Sequence, residues 1–514
     1  MRQSQVPDTE PPDVVVVGSG VGGASVALKL ARAGARVLML ERGPELRDEP
    51  ELSDAEAVFV QNRYRTLEEW QDEAGRRFRP GHFYYLGGHT KFYGTAMFRF
   101  RESDFAEAQH EDGLSPAWPM SYDDLAPHYA EAEALFGVHG AAHVDPTEPP
   151  RGAFPYPAVP HEPMIARMAE RLAGQGLTPF PMPSAIDLRP GGLCQRCGSC
   201  DAFACHYGAK GDAETRLISL FRNLPNVRIQ TETEVIRLIA DADGARIIAA
   251  EVRRNGETQR IEAPLFVLSA GAINSALILL RSKSERSPDG LANRSGVVGR
   301  NLMIHHLTGL MGLLPFEENS TRFPKTLSIN DFYHGIPGDK FARGNIQMLG
   351  KIRGPMIRST YPSVPRFLAD WMGRHSVDWL AMSEDLPRLE NRVRPLASGG
   401  IEVTYHGADS AAHDRFVRYT QRMLRRIGFP VVLRHPFGIT GPSHQCGTVR
   451  MGTDPAKSAL DPLCRAHDHP NLYVVDAGFF PSSAAVNPAL TVAAQALRVG
   501  AHLSQSFVAA TTAA

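Results

Sequence analysis

Four consecutive valines, Val14–Val17, form an apolar run with no polar alternation. Such a run predicts a strand buried on both faces, as in a parallel sheet. Gly18-Ser19-Gly20-Val21-Gly22-Gly23 follows directly, and Ala24, Ala27, Leu28 and Ala31 then recur at helical spacing. Gly34 ends that helix, and residues 36–40 make a second apolar strand that stops at Glu41. A charged, irregular stretch runs from there to about Pro80, and residues 86–94 form a Gly-rich loop suited to lying against a ligand. Ser121, followed by Asp123 and Asp124, predicts an N-cap and the first turn of a helix. The Pro-rich segment 140–165 reads as a surface crossing. Three alternating segments, 227–231, 235–239 and 248–253, predict a small antiparallel sheet. Residues 264–269 predict another buried strand, followed by Ala270-Gly271-Ala272 and an apolar helix over 276–280. Residues 302–430 show no clear period, and Phe367, Leu368, Trp371 and Met372 read as a helix face turned to the core. Asn487-Pro488 predicts a helix start with Pro at the first helical position.

The first of these elements carry chemistry. In the G-x-G-x-x-G of Gly18, Gly20 and Gly23, the first glycine permits the tight turn and the second lets backbone approach a pyrophosphate. The third allows close packing of helix on strand. The helix start offers unpaired N–H groups and the positive end of its dipole to phosphate. Glu41 sits close to the offset of roughly 20 residues expected of a ribose-binding acid and disfavours the 2′-phosphate of NADP. On these residues alone FAD and NAD are both open.

At 514 residues and 56.2 kDa, the chain exceeds one simple core and predicts two intertwined domains. A formal charge of −1 gives no reason to expect nucleic acid or a polybasic membrane anchor. The first ten residues are polar, reading as a loose tail rather than a secretory signal. No apolar run reaches the roughly 18 residues of a membrane span. The expectation is a cytoplasmic protein, with its oligomeric state unread.

The order of motifs resembles the glucose–methanol–choline (GMC) flavoprotein oxidoreductases over almost the whole chain. The resemblance rests on the Gly18–Gly23 cradle with Glu41, the Gly87-Gly88 loop, residues 267–274, and above all Leu472–Ala477 leading to Asn487-Pro488-Ala489-Leu490-Thr491. It is nearest the bacterial branch of pyranose oxidases, sugar dehydrogenases and aminoglycoside-tailoring oxidases. The implied fold is α/β, an FAD-binding Rossmann-like parallel-sheet domain with an intertwined α+β substrate-binding domain. Residues 11–105, 190–302 and 430–506 would form the first, and 106–189 and 303–429 the second.

The resemblance implies FAD. Some relatives tether the flavin to a His four residues after the Gly-Gly pair, where this chain has Phe92, so the expectation is non-covalent FAD. Expected cofactor contacts are Gly18, Gly20, Gly23 and Glu41 in the cradle and Gly87, Gly88, Thr90 and Gly94 in the loop. Val235, Ala270, Asp476, Ala477, Asn487, Pro488 and Leu490 complete the set. His444 and Asn487 align with the catalytic pair. An alcohol gives a hydride to flavin N5 only as its hydroxyl proton leaves, which a neutral imidazole can accept while an amide holds the oxygen.

Cys194, Cys197, Cys200 and Cys205 are spaced C-x2-C-x2-C-x4-C. The run resembles a ferredoxin motif with its last gap one residue longer and no following Pro; four-thiolate zinc, disulfides and reduced thiols also fit. Metal and no metal both stay open. Cys446 reads as a packing residue. The expected activity is oxidation of a sugar, glycoside or cyclitol hydroxyl to the carbonyl, with oxygen or another acceptor taking the electrons. The alternative is a dehydrogenase subunit passing electrons through a Cys-bound iron–sulfur cluster to a partner.

Overall fold

The protein is described here from a computed structural model covering residues 10–407, 410–441 and 444–513. Of the polar N-terminal stretch, only Glu10 falls among the described residues.

The valine run forms the strand Val14–Val17 at the centre of a five-stranded parallel sheet. Val37–Leu40 pairs on one side, with Val227–Gln230 beyond it. Leu265–Leu268 pairs on the other, followed by Leu472–Val474. The two innermost partners of the valine strand are themselves apolar because helices cover both faces of the sheet. The helix Val21–Arg32 packs against the C-terminal helix Ala489–Ala513. That helix starts one residue later than predicted: the Pro488 carbonyl already accepts from Val492 N, so Pro488 caps the helix.

One predicted strand belongs elsewhere. Val227–Gln230 joins the parallel sheet rather than the small antiparallel one. Asn226 explains this, because its amide donates to the Ala31 and Ala35 carbonyls and docks the segment beside Val37. The antiparallel sheet consists instead of Thr233–Ala240, Ile247–Arg254 and the charged edge strand Glu257–Glu262. That last strand is largely exposed on both faces, so it carries no hydrophobic alternation to detect.

Residues 302–430 are more regular than their pattern suggests. A second, six-stranded antiparallel sheet runs Val431–Phe437, His306–Leu313, Ser376–Ser383, Asn345–Met348, Leu327–Ile329 and Phe180–Pro181. Its middle strands are buried on both faces yet carry polar residues such as Asn345, Gln347 and Asp378 that bond inside the fold, which erases the period. The helices Pro163–Ala173 and Ser410–Arg426 contribute to the apolar core of this sheet. In the helix Arg366–Arg374, Trp371 and Met372 pack on a core cluster, but Phe367 is 76% and Leu368 38% exposed, so only half the predicted face is core. Among the described residues, no helix is long and apolar enough to cross a membrane.

Candidate functional site

A cavity of about 500 Å3 opens where the C-terminal ends of the parallel strands meet the second sheet. Its wall runs without a break from Gly18–Gly22 and Glu41 to His444 and Asn487. At one end, Gly18 has φ +95°, and a side chain there would strike the Ser269 carbonyl. Gly20 differs: a Cβ on it would meet nothing within 4 Å, because it faces the cavity. That is the open ledge a pyrophosphate needs. Gly88 approaches so closely that a Cβ on it would lie 2.9 Å from Gly20 Cα, bringing the Gly-rich loop over the ledge.

Glu41 ends its strand with a buried carboxyl that accepts from Ser19 N at 3.1 Å, Ser19 Oγ at 2.5 Å and Gly43 N at 2.9 Å. Burial pushes its pKa up, and the Ser19 bond opposes this. An open glycine ledge at a helix start, with a held acid at the adjacent strand end, fits the pyrophosphate and ribose of a dinucleotide. Thr90, Gly94, Val235, Ala270, Asp476, Ala477 and Pro488 also line the cavity. Gly23, Gly87 and Leu490 do not reach it: Gly23 packs helix on strand, Gly87 N donates to Ser19 Oγ, and Leu490 is core. Asp476 spends its carboxylate on Gly271 N, Gly478 N and Ser275 Oγ, and burial raises its pKa to about 6.

At the other end, His444 and Asn487 line the same cavity. Burial, reinforced by Lys325, lowers the His444 pKa to about 4, so its imidazole is neutral at ordinary pH. Its Nδ1 lies 3.1 Å from Nδ1 of His305, whose Nε2 is 3.1 Å from the Ser483 carbonyl. Asn487 ends a buried amide chain. Asp145, ion-paired with Arg101, can only accept, so Asn330 donates its amide to it at 2.8 Å. Asn345 then donates to Asn330 Oδ1 at 2.7 Å, and Gln347 Nε2 donates to Asn345 Oδ1 and Asn487 Oδ1, each at 2.9 Å. With its oxygen taken, Asn487 has its Nδ2 donor free, and no described residue accepts from it.

Sequence reasoning missed four features here. His305 and Gln347 lie on or beside strands of the second sheet, with no local motif. Lys325 donates to Asp201 at 2.8 Å, and this pair lines the cavity where a side chain on Gly94 would collide with it. The buried Lys210 donates to the carbonyls of Lys91, Tyr93, Cys200 and Phe203, tying the cysteine loop to the Gly-rich loop. Only Lys210 had a signal, a lysine beside the cysteine run.

All six cysteines are free, with Cys446 and Cys464 buried and Cys197 exposed. Among the described residues, no group of three or more His, Cys, Asp or Glu side chains is placed to hold a metal ion. The Cys194–Cys205 loop delivers Asp201 and Ala202 to the cavity wall.

Comparison with known proteins agrees with this geometry. Two family models described as GMC oxidoreductase match residues 175–307 and 401–496, and one described as FAD binding domain matches residues 13–74. The 6'''-hydroxyparomomycin C oxidase of Streptomyces lividus is 34% identical, over 97% of this chain and 92% of its own. The paromamine 6'-oxidase of Streptomyces fradiae is 33% identical, over 98% and 93%. The solved structure of pyridoxine 4-oxidase from "Mesorbium loti" shares the fold, with TM-score 0.66 and 19% identity over 96% of this chain and 99% of that one.

Proposed function

The chain belongs to the GMC oxidoreductase family, FAD-dependent enzymes acting on CH–OH donors, and on that premise we propose that it oxidises a sugar, glycoside or cyclitol hydroxyl with His444 as the base. The observation that carries the reading is the single cavity joining the dinucleotide ledge at Gly20 and Glu41 to His444 and Asn487. FAD, when bound, supplies the hydride acceptor. His444 takes the hydroxyl proton on its imidazole, neutral because it is buried. Asn487 donates its free N–H to the hydroxyl oxygen and holds the substrate C–H in line. Pro488 and Ala489 line the cavity at the start of the long C-terminal helix, so its positive end faces the reacting groups.

The cofactor is held non-covalently in this reading. Phe92 occupies the position from which some relatives tether their flavin, and it is stacked on Phe83 at 4.1 Å. Residues 11–105, 190–302 and 430–506 surround the cofactor, while 106–189 and 303–429 cover the substrate. The strand Val431–Phe437 crosses that division to pair with His306–Leu313. Relatives named as oxidases of hydroxyparomomycin and of paromamine favour a hydroxyl on a sugar-like ring, with electrons passing on to oxygen or another acceptor.

The test is anaerobic reduction of the purified holoenzyme by paromamine and by a panel of sugars, glycosides and cyclitols. The flavin bands should bleach with at least one of them. His444→Ala and Asn487→Ala should keep FAD but slow bleaching by about 10²-fold or more. A variant that bleaches at the parent rate removes that residue from the mechanism, and no bleaching by any sugar or cyclitol removes the substrate class.

A further inference from the structure

A base must present a lone pair, and an imidazole has two nitrogens of which only one carries it when neutral. Which nitrogen of His444 is free can be read outward from a group whose role is fixed. The Ser483 carbonyl can only accept, so the His305 Nε2 facing it at 3.1 Å carries a hydrogen. Burial, with His444 alongside, holds the His305 pKa well below the ordinary value, so His305 is neutral and its Nδ1 is a bare acceptor. The Nδ1 of His444, 3.1 Å away, must then donate to it. The lone pair of His444 is thereby left on Nε2, to which no described residue hydrogen bonds. The two rings meet nearly at right angles, 86°, with centroids 4.9 Å apart.

We propose that His305 is a positioning residue, which fixes the tautomer of His444 through the Ser483 carbonyl and so keeps its Nε2 unprotonated toward the substrate hydroxyl. This rests on the reading of His444 as the base. The strand that begins at His306 and the segment 480–488 leading into the helix Ala489–Ala513 hold the relay. When His444 accepts a proton at Nε2, its Nδ1–H bond to His305 becomes charge-assisted and strengthens. His305 thus assists the step as well as orienting it. Other ionisable groups that act on the pair are His306 beside His305, and Lys325, Asp201 and His89 around His444.

Three variants and one spectrum test the relay. His305→Leu removes the acceptor; His305→Gln keeps one, since a glutamine can accept from His444 and donate to Ser483. In anaerobic single-turnover reduction, His305→Leu should be slower by about 10²-fold, with its acid limb moved to lower pH because the imidazolium has lost its partner. His305→Gln should recover most of that loss. In long-range proton–nitrogen spectra of holoenzyme containing isotope-labelled histidine, the signal lost in His444→Ala should report a protonated Nδ1 and a bare Nε2. A His444 signal with the opposite tautomer overturns the proposal. So does a His305→Leu variant with parent rate and parent acid limb, or one slowed with an unmoved acid limb and no rescue by Gln. If His444→Ala itself reduces at the parent rate, the base assignment fails instead, whatever the tautomer.

Discussion

Gln347→Leu separates orienting Asn487 from merely burying it. Gln347 is fully buried and gives two hydrogen bonds of 2.9 Å, to Asn487 Oδ1 and Asn345 Oδ1. Leucine is close in volume but donates nothing, so two buried acceptors lose their partner. At about 1–3 kcal/mol for each unsatisfied buried group, and with leucine also removing the unpartnered Gln347 Oε1, the fold should lose about 1–3 kcal/mol net. The effect on rate is smaller in kind. Asn487 keeps its amide but loses a lock worth about 1 kcal/mol net on which end faces the cavity. With the competent orientation no longer enforced, flavin reduction should slow by about 2- to 10-fold, against the roughly 10²–10³-fold expected when the donor is removed outright in Asn487→Ala. Gln347→Glu sharpens the test, since an ionised carboxylate accepts only and draws the Asn487 amide back, turning its oxygen to the cavity. The rate of that variant should fall further as pH rises and the carboxylate ionises. The assay is anaerobic stopped-flow reduction with whichever donor bleaches the parent, paired with thermal unfolding of the same preparations. Parent rates in both Gln347 variants, beside a slow Asn487→Ala, would refute the orienting role of the amide chain.

Two further outcomes follow from local geometry. Gly20→Val should fold, because its Cβ meets nothing within 4 Å, yet purify without flavin; a full visible flavin spectrum from that variant contradicts the placement of the pyrophosphate. Acid should destabilise the protein partly through His413, which burial holds neutral with a pKa of about 3 between Thr308 and Ser383. Its folded pKa lies below the unfolded value, so the unfolded chain binds the proton first, and stability is lost as pH falls from about 6.5 toward 3, by up to about 4–5 kcal/mol. Asp104, Asp378 and Asp476, each raised to about 6 by burial, act in the opposite sense over pH 4–6. His413→Gln should therefore shift the acid-unfolding midpoint, followed by circular dichroism, to lower pH, and an unmoved midpoint would exclude His413 as a contributor.

The parts of this protein legible in its sequence are those whose physics is local. A strand, a glycine turn and a helix in immediate succession are specified by adjacent residues, so Val14–Val17, Gly18–Gly23 and the strand ending at Glu41 could be read directly. The Ser121 cap was equally local, since its partner Asp124 is three residues away. His444 and Asn487 were legible only through family resemblance, for neither spacing nor periodicity distinguishes one histidine from the other eighteen. What tertiary structure alone decided is which atoms that pair can offer. His305 comes from the edge of the second sheet, Ser483 from the approach to the C-terminal helix, and Gln347 from a strand whose Asn345 reaches Asp145 through Asn330. The second sheet stayed hidden in the sequence for the same reason. Its middle strands are buried on both faces and satisfy polar side chains internally, so no hydrophobic alternation marks them, and the direction of each hydrogen bond is set by a carbonyl or carboxylate that only the folded chain brings within reach.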